Sequence, residues 1–275
     1  MSNPKQSKKK VVDGVSSLVL DFLIRRLNKL EKDISSFLNV NPFLMSALRD
    51  FHSFKKIQDL ADFLFIAHMS QGHATGFGKL VDEKMLPEVF GTIKLTEKIR
   101  KERKLTAAAY NEIDHIVNPG SNDDWSLLSL KAGAWTIQDT AAHNLYNSFK
   151  QIGDFQVYGK EIVVGVFYGD KDSLTNKYDI LRGINPRQQN QFVELNHVRV
   201  LAGKEFWSWL NGNEENTQIW VLEGTRIGSE KAFKQYGNKN IINAPKKLAE
   251  ELSKKYGLDL KGNIDWERLL IAINE

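Results

Sequence analysis

The sequence predicts an α/β fold in which a mixed central sheet is flanked by helices. Short apolar runs, separated by turn-forming residues, predict two antiparallel strands near the middle of the chain. The run "EIVVGVFYG" is rich in β-branched residues and predicts a buried strand. Runs with apolar residues at helical spacing lie before and after these strands, and the order strand, strand, helix, strand favours a mixed sheet.

A helical part is predicted over about residues 11–92, after a flexible basic N-terminus over residues 1–10. Apolar residues recur at helical spacing from Val15 to Leu38, and "NVNPF" ends this run. A second helix is predicted over Ile57–Met69. A third, "GKLVDEKMLPEVFG", is expected to start after the loop "GHATGFG" and to be interrupted at Pro87.

The sheet is predicted within a core over about residues 105–212. The strands "EIDHIV" and "SLLSLK" are joined by the turn formers "NPGSNDD", and "AWTIQDTAAHNLYNSFKQI" predicts a helix after them. "KYDILRGI" and "HVRVLAG" predict two further strands. Helices are predicted for "KEFWSWL" and over about residues 213–275, and residues 11–275 are expected to form a single domain.

Composition excludes several classes of protein. The 38 Lys and Arg residues exceed the 34 Asp and Glu residues, and the net charge of +4 favours a polyanionic partner without requiring one. The absence of cysteine excludes a disulfide scaffold, a thiolate metal site and a cysteine nucleophile. No window approaches the roughly 18 apolar residues of a membrane-spanning helix, so we expect no membrane association and a cytoplasmic location.

The predicted hairpin carries charged residues that suggest hydrolytic chemistry. Because side chains alternate along a strand, Glu112 and Asp114 share one face, and Ser129 and Lys131 share a face of the partner strand. If the hairpin pairs in register, Asp114 meets Lys131. A carboxylate that holds a hard cation beside a lysine suits phosphodiester hydrolysis. The same spacing also fits an ordinary ion pair across a hairpin, and spacing alone leaves both interpretations open.

Six blocks give the chain a family resemblance. They are "TGFGKLVDEKMLPEVFG", "EIDHIV", "LLSLKAGAWTIQ", "IVVGVFYG", "LRGIN" and "AGKEFWSWLN", in this order from about Asn41 to the C-terminus. The set resembles the PD-(D/E)XK nucleases, and among them a branch of type II restriction endonucleases that cuts palindromic DNA with a GGNCC core. The resemblance implies the PD-(D/E)XK core with additional N- and C-terminal helices, dependence on Mg²⁺, and 5'-phosphate ends. It also implies a homodimer on double-stranded DNA and a cognate DNA methyltransferase in the same restriction–modification system, not necessarily in contact.

The resemblance also implies roles for individual residues. Asp114 matches the catalytic carboxylate that ligates the metal, Lys131 matches the catalytic lysine, and the carbonyl of Leu130 is expected to reach the metal. Ser129 stands where most of the wider family has Glu or Asp, and a hydroxyl is a weaker Mg²⁺ ligand than a carboxylate, so the number of metals stays open. Glu83 lies on the preceding helix, where related enzymes often place an additional acid. Its alternative role is that of a solvated helix residue.

A polar segment after the buried strand contains the candidates for reading DNA. Guanine presents O6 and N7 acceptors in the major groove, which Arg or Lys contacts best. "DKDSLTNKYDILRGINPRQQNQ" supplies such residues: Arg182, Arg187 and Lys177, with Gln188 and Gln189 as secondary candidates. The alternative for each is a polar surface loop. The basic run "KLTEKIRKERK" is expected to contact phosphates or to order only on DNA.

Two further functions remain open. Ser129 lends support to a sequence-specific DNA-binding protein that has kept a nuclease fold without cleavage. A structure-selective DNA repair nuclease would instead cut branched DNA without a sequence preference.

Overall fold

The fold is seen in a computed structural model, which describes residues 5–32, 40–117, 125–133, 137–155, 161–184, 192–237 and 239–274. The chain divides into two compact units. The first comprises Met1–Leu18 and Gly78–Ile227, and the second comprises Val19–Phe77 and Gly228–Glu275. Among the described residues, no helix is both long enough and apolar enough to cross a membrane.

The elements follow one another in a helix-rich order. The helices are α1 (Lys8–Lys32), α2 (Pro42–Leu48), α3 (Ile57–Leu80), α4 (Glu97–Glu102), α5 (Asp139–Phe155), α6 (Lys177–Ile180), α7 (Gly203–Leu210), α8 (Thr217–Tyr236), α9 (Lys239–Tyr256) and α10 (Trp266–Asn274). A π-helix covers Val81–Val89 and a 3₁₀ helix covers Ala108–Glu112. The strands are β1 (Ile93–Lys94), β2 (His115–Val117), β3 (Ser126–Lys131), β4 (Glu161–Val166) and β5 (Val198–Ala202).

The first unit contains a five-stranded mixed sheet in the order β1-β2-β3-β4-β5. The pairs β1/β2 and β2/β3 are antiparallel, whereas β3/β4 and β4/β5 are parallel. Helix α5 makes the crossover from β3 to β4, as a parallel pair requires. The protein is therefore a mixed α/β protein with helices flanking the sheet, which confirms the fold class at this level.

One face of the sheet packs against α5. The register places Ile116, Leu127, Ile162 and Val198 side by side across four strands, and all four are buried. They belong to one apolar cluster with Phe149 of α5, whose side chain is fully buried. Because strand side chains alternate, Ser129 and Lys131 point to this same face.

Helix α7 covers the opposite face. A Cβ built on Gly165 of β4 would collide with the ring of Phe206 and would lie 2.8 Å from Cδ1 of Leu128. Glycine at this position therefore lets the α7 ring approach the strand backbone. With both faces covered, β3 and β4 are buried strands, which agrees with their apolar sequences.

The second unit has its own apolar cluster. It contains Ile57 and Leu60 of α3, Leu248 of α9 and Leu269 of α10, all almost completely buried. Helix α3 continues through "GHATGFG", so the predicted loop there is wrong. Gly76 suits close helix packing, because a Cβ at this position would lie 3.0 Å from the Phe22 ring of α1.

Two other predicted elements differ. "KYDILRGI" is not a strand, because Lys177–Ile180 forms a helical turn that places Tyr178 and Ile180 in the core. Its alternating apolar residues fitted a strand equally well. Helix α1 begins at Lys8, inside the predicted flexible N-terminus, and Lys8 Nζ lies 2.8 Å from Glu223 Oε2.

Candidate active site

Asp114 lies between the 3₁₀ helix and β2, with both of its backbone groups held. Its N–H donates to the carbonyl of Leu128 in β3 at 2.8 Å, and its carbonyl accepts from the N–H of Leu95 at 2.8 Å. Neighbours on both sides thus fix the backbone that carries the carboxylate. The side chain stays 31% exposed, so a ligand from solvent can reach it.

The carboxylate of Asp114 continues the hydrogen bonding to β3 just before the first residue of β2. Its Oδ2 accepts a hydrogen bond from the backbone N–H of Leu130 at 2.7 Å. In a strand, the N–H and the C=O of one residue point to the same side, so the Leu130 carbonyl also faces the edge occupied by Asp114. The carbonyl of Lys131, the next residue, accepts instead from Phe167 N–H on the β4 side at 3.2 Å. This edge of β3 therefore carries a carboxylate oxygen of Asp114 and the carbonyl oxygen of Leu130.

A second carboxylate approaches from the π-helix. Lys94 Nζ of β1 donates to Oδ1 and Oδ2 of Asp82 at 2.5 Å and 2.6 Å, and it lies 3.6 Å from Oδ1 of Asp114. Burial of Asp82 acts to raise its pKa, but the hydrogen bonds from His115 and Lys94 outweigh burial and hold the pKa below its ordinary value. The ammonium of Lys94 thus lies between two anionic groups.

His115 anchors this arrangement in the interior. Its ring is fully buried, with Nε2 2.8 Å from Oδ1 of Asp82 and Nδ1 2.9 Å from Oγ1 of Thr92. A neutral ring satisfies both contacts when Nε2–H donates to the carboxylate and Nδ1 accepts from the hydroxyl. A continuous series of polar contacts therefore links Thr92 to Asp114. Its buried end at His115 restricts the motion of Asp82.

The expected contact between Asp114 and Lys131 is not formed, because β2 and β3 pair in a different register. His115 pairs with Leu128, which places Asp114 alongside Leu128 to Leu130, and its basic neighbour in the described part of the chain is Lys94. The 3₁₀ helix takes up the first residue of the predicted strand, so β2 begins only at His115. Glu112 belongs to that 3₁₀ helix and so does not share a strand face with Asp114.

Ser129 and Lys131 occupy the predicted strand but differ in their exposure. Lys131, the last residue of β3, is half-buried, so its side chain can reach solvent at the end of the strand. Ser129 has no exposed surface, and its hydroxyl has no hydrogen-bond partner among the residues that the structure describes. A buried hydroxyl without a partner is unfavourable. Ser129 lies between Leu128 and Leu130, which both bond to Asp114, but its own side chain is sealed from solvent.

The structure brings Asp82, and not its neighbour Glu83, to the sheet. Glu83 is exposed on the π-helix, and its role as a metal ligand stays a prediction. Sequence reasoning missed Asp82, His115 and Thr92. It placed Lys94 in the basic run expected to contact phosphates or to order only on DNA, whereas Lys94 lies in β1 and binds Asp82. A signal was available for Asp82, since it lies next to Val81 and one turn before Met85, and both of these are buried.

Only part of the predicted DNA-reading segment is described. Lys177 begins α6 and Arg182 follows it, and the Nε of Arg182 is buried without a hydrogen-bond partner among the described residues. The hydroxyl of Tyr178 donates to the carbonyl of Gly133 at 3.0 Å, which joins α6 to the segment just after Lys131. Three candidates lie outside the described residues: Arg187, Gln188 and Gln189.

The oxygen donors at Asp114 fit the Mg²⁺ that the resemblance implies. No group of three His, Asp or Glu side chains suited to a metal occurs within the described ranges. Mg²⁺ does not need one, because it commonly keeps several waters and binds one or two carboxylates together with substrate phosphate. The carboxylate of Asp114 and the carbonyl of Leu130 meet that requirement. Comparison of the sequence with models of protein families and with curated proteins finds no match.

Replacing Ser129 tests whether its hydroxyl lacks a partner in the free protein. Ser129→Ala is expected to leave the free energy of unfolding unchanged or to raise it by up to about 2 kcal/mol, because a buried unpaired hydroxyl is removed. Ser126→Ala, two residues before Leu128 on β3, should lower it by about 1 kcal/mol, because its hydroxyl donates to Glu161 at 3.1 Å. Urea unfolding measures both values, and a clear drop in stability for Ser129→Ala would contradict the assignment.

Proposed function

We propose that the protein is a Mg²⁺-dependent type II site-specific deoxyribonuclease that hydrolyses double-stranded DNA. The observation that carries the proposal is the partly exposed carboxylate of Asp114, bound by the N–H of Leu130 one residue before Lys131. The sequence blocks that resemble restriction endonucleases support the same reaction and suggest a palindromic site with a GGNCC core. Products with 5'-phosphate ends are expected from this class of enzyme.

The described residues suggest how the reaction would proceed. Asp114 and the carbonyl of Leu130 would hold Mg²⁺, which would polarise the scissile phosphate and acidify bound water. Lys131, at the end of β3, would orient the attacking water and stabilise the negative charge that develops on the phosphate. Water oxygen would bond to phosphorus while the bond from phosphorus to the 3' oxygen breaks. The attacking water would release one proton to solvent, the 3' oxygen would take up one proton from solvent, and the phosphate would stay on the 5' end.

The DNA-reading role of the segment after β4 is supported by its attachment to the same end of the sheet. Tyr178 connects α6 to Gly133, so Lys177 and Arg182 lie on a short ordered segment close in the fold to the end of β3. Recognition requires donors on rigid elements near the reacting phosphate. Helix α4 adds exposed basic residues that would contact phosphates without reading bases.

A second candidate function is sequence-specific DNA binding without cleavage. The buried Ser129 favours it, because this position presents no anionic oxygen to a metal. Plasmid incubated with the protein and Mg²⁺ separates the candidates: discrete fragments support the endonuclease, and retarded but intact plasmid supports the binding protein. Cleavage confined to branched DNA would instead indicate a structure-selective repair nuclease.

Removing either catalytic group is expected to abolish cleavage while DNA binding and folding persist. Asp114→Ala would remove the metal-binding carboxylate, and Lys131→Ala would remove a group that acts on the transition state. Chelation of Mg²⁺ should have the same effect. Plasmid cleavage and gel retardation measure the two properties. Lys150→Ala, an exposed lysine of α5, is the control and should cut normally, whereas wild-type cleavage by Lys131→Ala would refute the assignment.

Sequence discrimination is expected to depend on the arginines of the reading segment. Arg182→Ala or Arg187→Ala should reduce discrimination at guanines by about 1–3 kcal/mol for each bidentate arginine–guanine pair that the substitution removes. Lys98→Ala in α4 should instead weaken binding to all sequences alike and reduce its salt dependence. Competition binding with base-substituted sites measures the difference. Equal weakening for every sequence in the arginine variants would exclude them from base recognition.

The active species is expected to be a homodimer with two-fold symmetry. A palindromic site presents one half-site twice, so each of two identical subunits can read one half and cut one strand. The long helix α1 is a candidate for the subunit contact. Light scattering during size exclusion with a GGNCC oligonucleotide should give a protein mass of about 63 kDa, twice the 31.4 kDa chain. If the protein that is bound to DNA and cleaves it has the mass of a single chain, the dimer prediction is wrong.

A further inference from the structure

The position of Lys94 suggests a role that rests on the proposed function. We infer that Lys94 sets the affinity of the active centre for its divalent cation, because its ammonium is a resident counter-ion of Asp114 that the arriving cation must displace. Lys94 acts through the carboxylate of Asp114, so it is a positioning residue and not a catalytic one.

The contacts of Lys94 are unequal in a way that permits displacement. Its ammonium binds both oxygens of Asp82, at 2.5 Å and 2.6 Å, but lies 3.6 Å from Oδ1 of Asp114. Asp82 is itself held by the buried ring of His115. The stronger partner is therefore anchored to the interior, and the ammonium can keep Asp82 while it gives up Asp114.

The opposite oxygen of Asp114 has a different environment. Oδ2 is bound by the N–H of Leu130, so this bond keeps the carboxylate in place when the ammonium leaves Oδ1. Oδ1 then becomes the oxygen that the ammonium and a cation compete for. The ammonium of Lys94 and a metal cation cannot both lie next to Oδ1, because like charges at this separation repel each other.

The expected size of the effect follows from charge and exposure. Lys94 and Asp114 are 29% and 31% exposed, so water screens their interaction in part. A divalent ion on Asp114 would meet a unit positive charge several ångströms away, which in a well-solvated site weakens its binding by about tenfold. Removing the charge of Lys94 should therefore strengthen cation binding by about that factor.

The test measures binding of Mn²⁺ alone, without DNA, by the electron paramagnetic resonance signal of the free ion. Mn²⁺ prefers oxygen ligands as Mg²⁺ does. Lys94→Met should bind Mn²⁺ about tenfold more tightly than the wild type, whereas Lys94→Arg, which keeps the charge, should bind it as the wild type does. Lys150→Met is the matched control, because it removes the same charge from an exposed side chain of α5, and it should leave the affinity unchanged.

Asp114→Asn separates failure of the inference from failure of the proposed function. It should abolish the binding of Mn²⁺ in both the wild-type and the Lys94→Met backgrounds. If Asp114→Asn abolishes binding but Lys94→Met binds no more tightly than the wild type, the role of Lys94 is overturned and the metal site stands. If Asp114→Asn binds Mn²⁺ normally, both are overturned. Should Lys94→Met fail to fold by circular dichroism, Lys94→Gln takes its place with the same expected gain.

Discussion

The hydrogen bond from the N–H of Leu130 to the carboxylate of Asp114 is the contact on which the candidate site depends. Strand β2 is only three residues long, and the 3₁₀ helix before it leaves β3 without a backbone partner at this point. A buried or half-buried N–H requires an acceptor, and the side chain of Asp114 provides it. The same bond orients the carboxylate along the edge of the sheet, so a requirement of the fold positions a chemical group.

The charged residues around this bond are arranged by the sheet and the π-helix together. The short strand β1 brings Lys94 opposite His115, and the π-helix turns Asp82 toward both of them. A π-helix shifts the rotation of side chains relative to an α-helix, and such turns often occur at functional sites. As a result, Asp82, Lys94 and Asp114 form an alternating series of acidic and basic groups that are partly exposed, whereas His115 is buried. Charges at partial exposure interact strongly enough to hold their geometry and can still be reached by a ligand.

Sequence patterns predicted the elements that bury apolar residues. The strands around Leu127 and Val164 and helix α5 appear where their periodicity placed them, because burial on one face imposes a regular spacing. The strand predicted at Tyr178 was wrong, since its alternating pattern over four residues suits a helical turn as well as a strand. The glycines of α3 were also misleading, because close packing against Phe22, and not a loop, explains Gly76.

The sequence by itself determined the α/β class, the position of Asp114 near the start of a strand and the place of Lys131 at the end of the next. All three follow from local periodicity and turn chemistry, which act over a few residues. Only the tertiary structure decided that Asp82 and Lys94 join Asp114, and that Ser129 is sealed in the interior. Those outcomes depend on strand register and on the phase of the π-helix, which are set by packing between residues far apart in the chain.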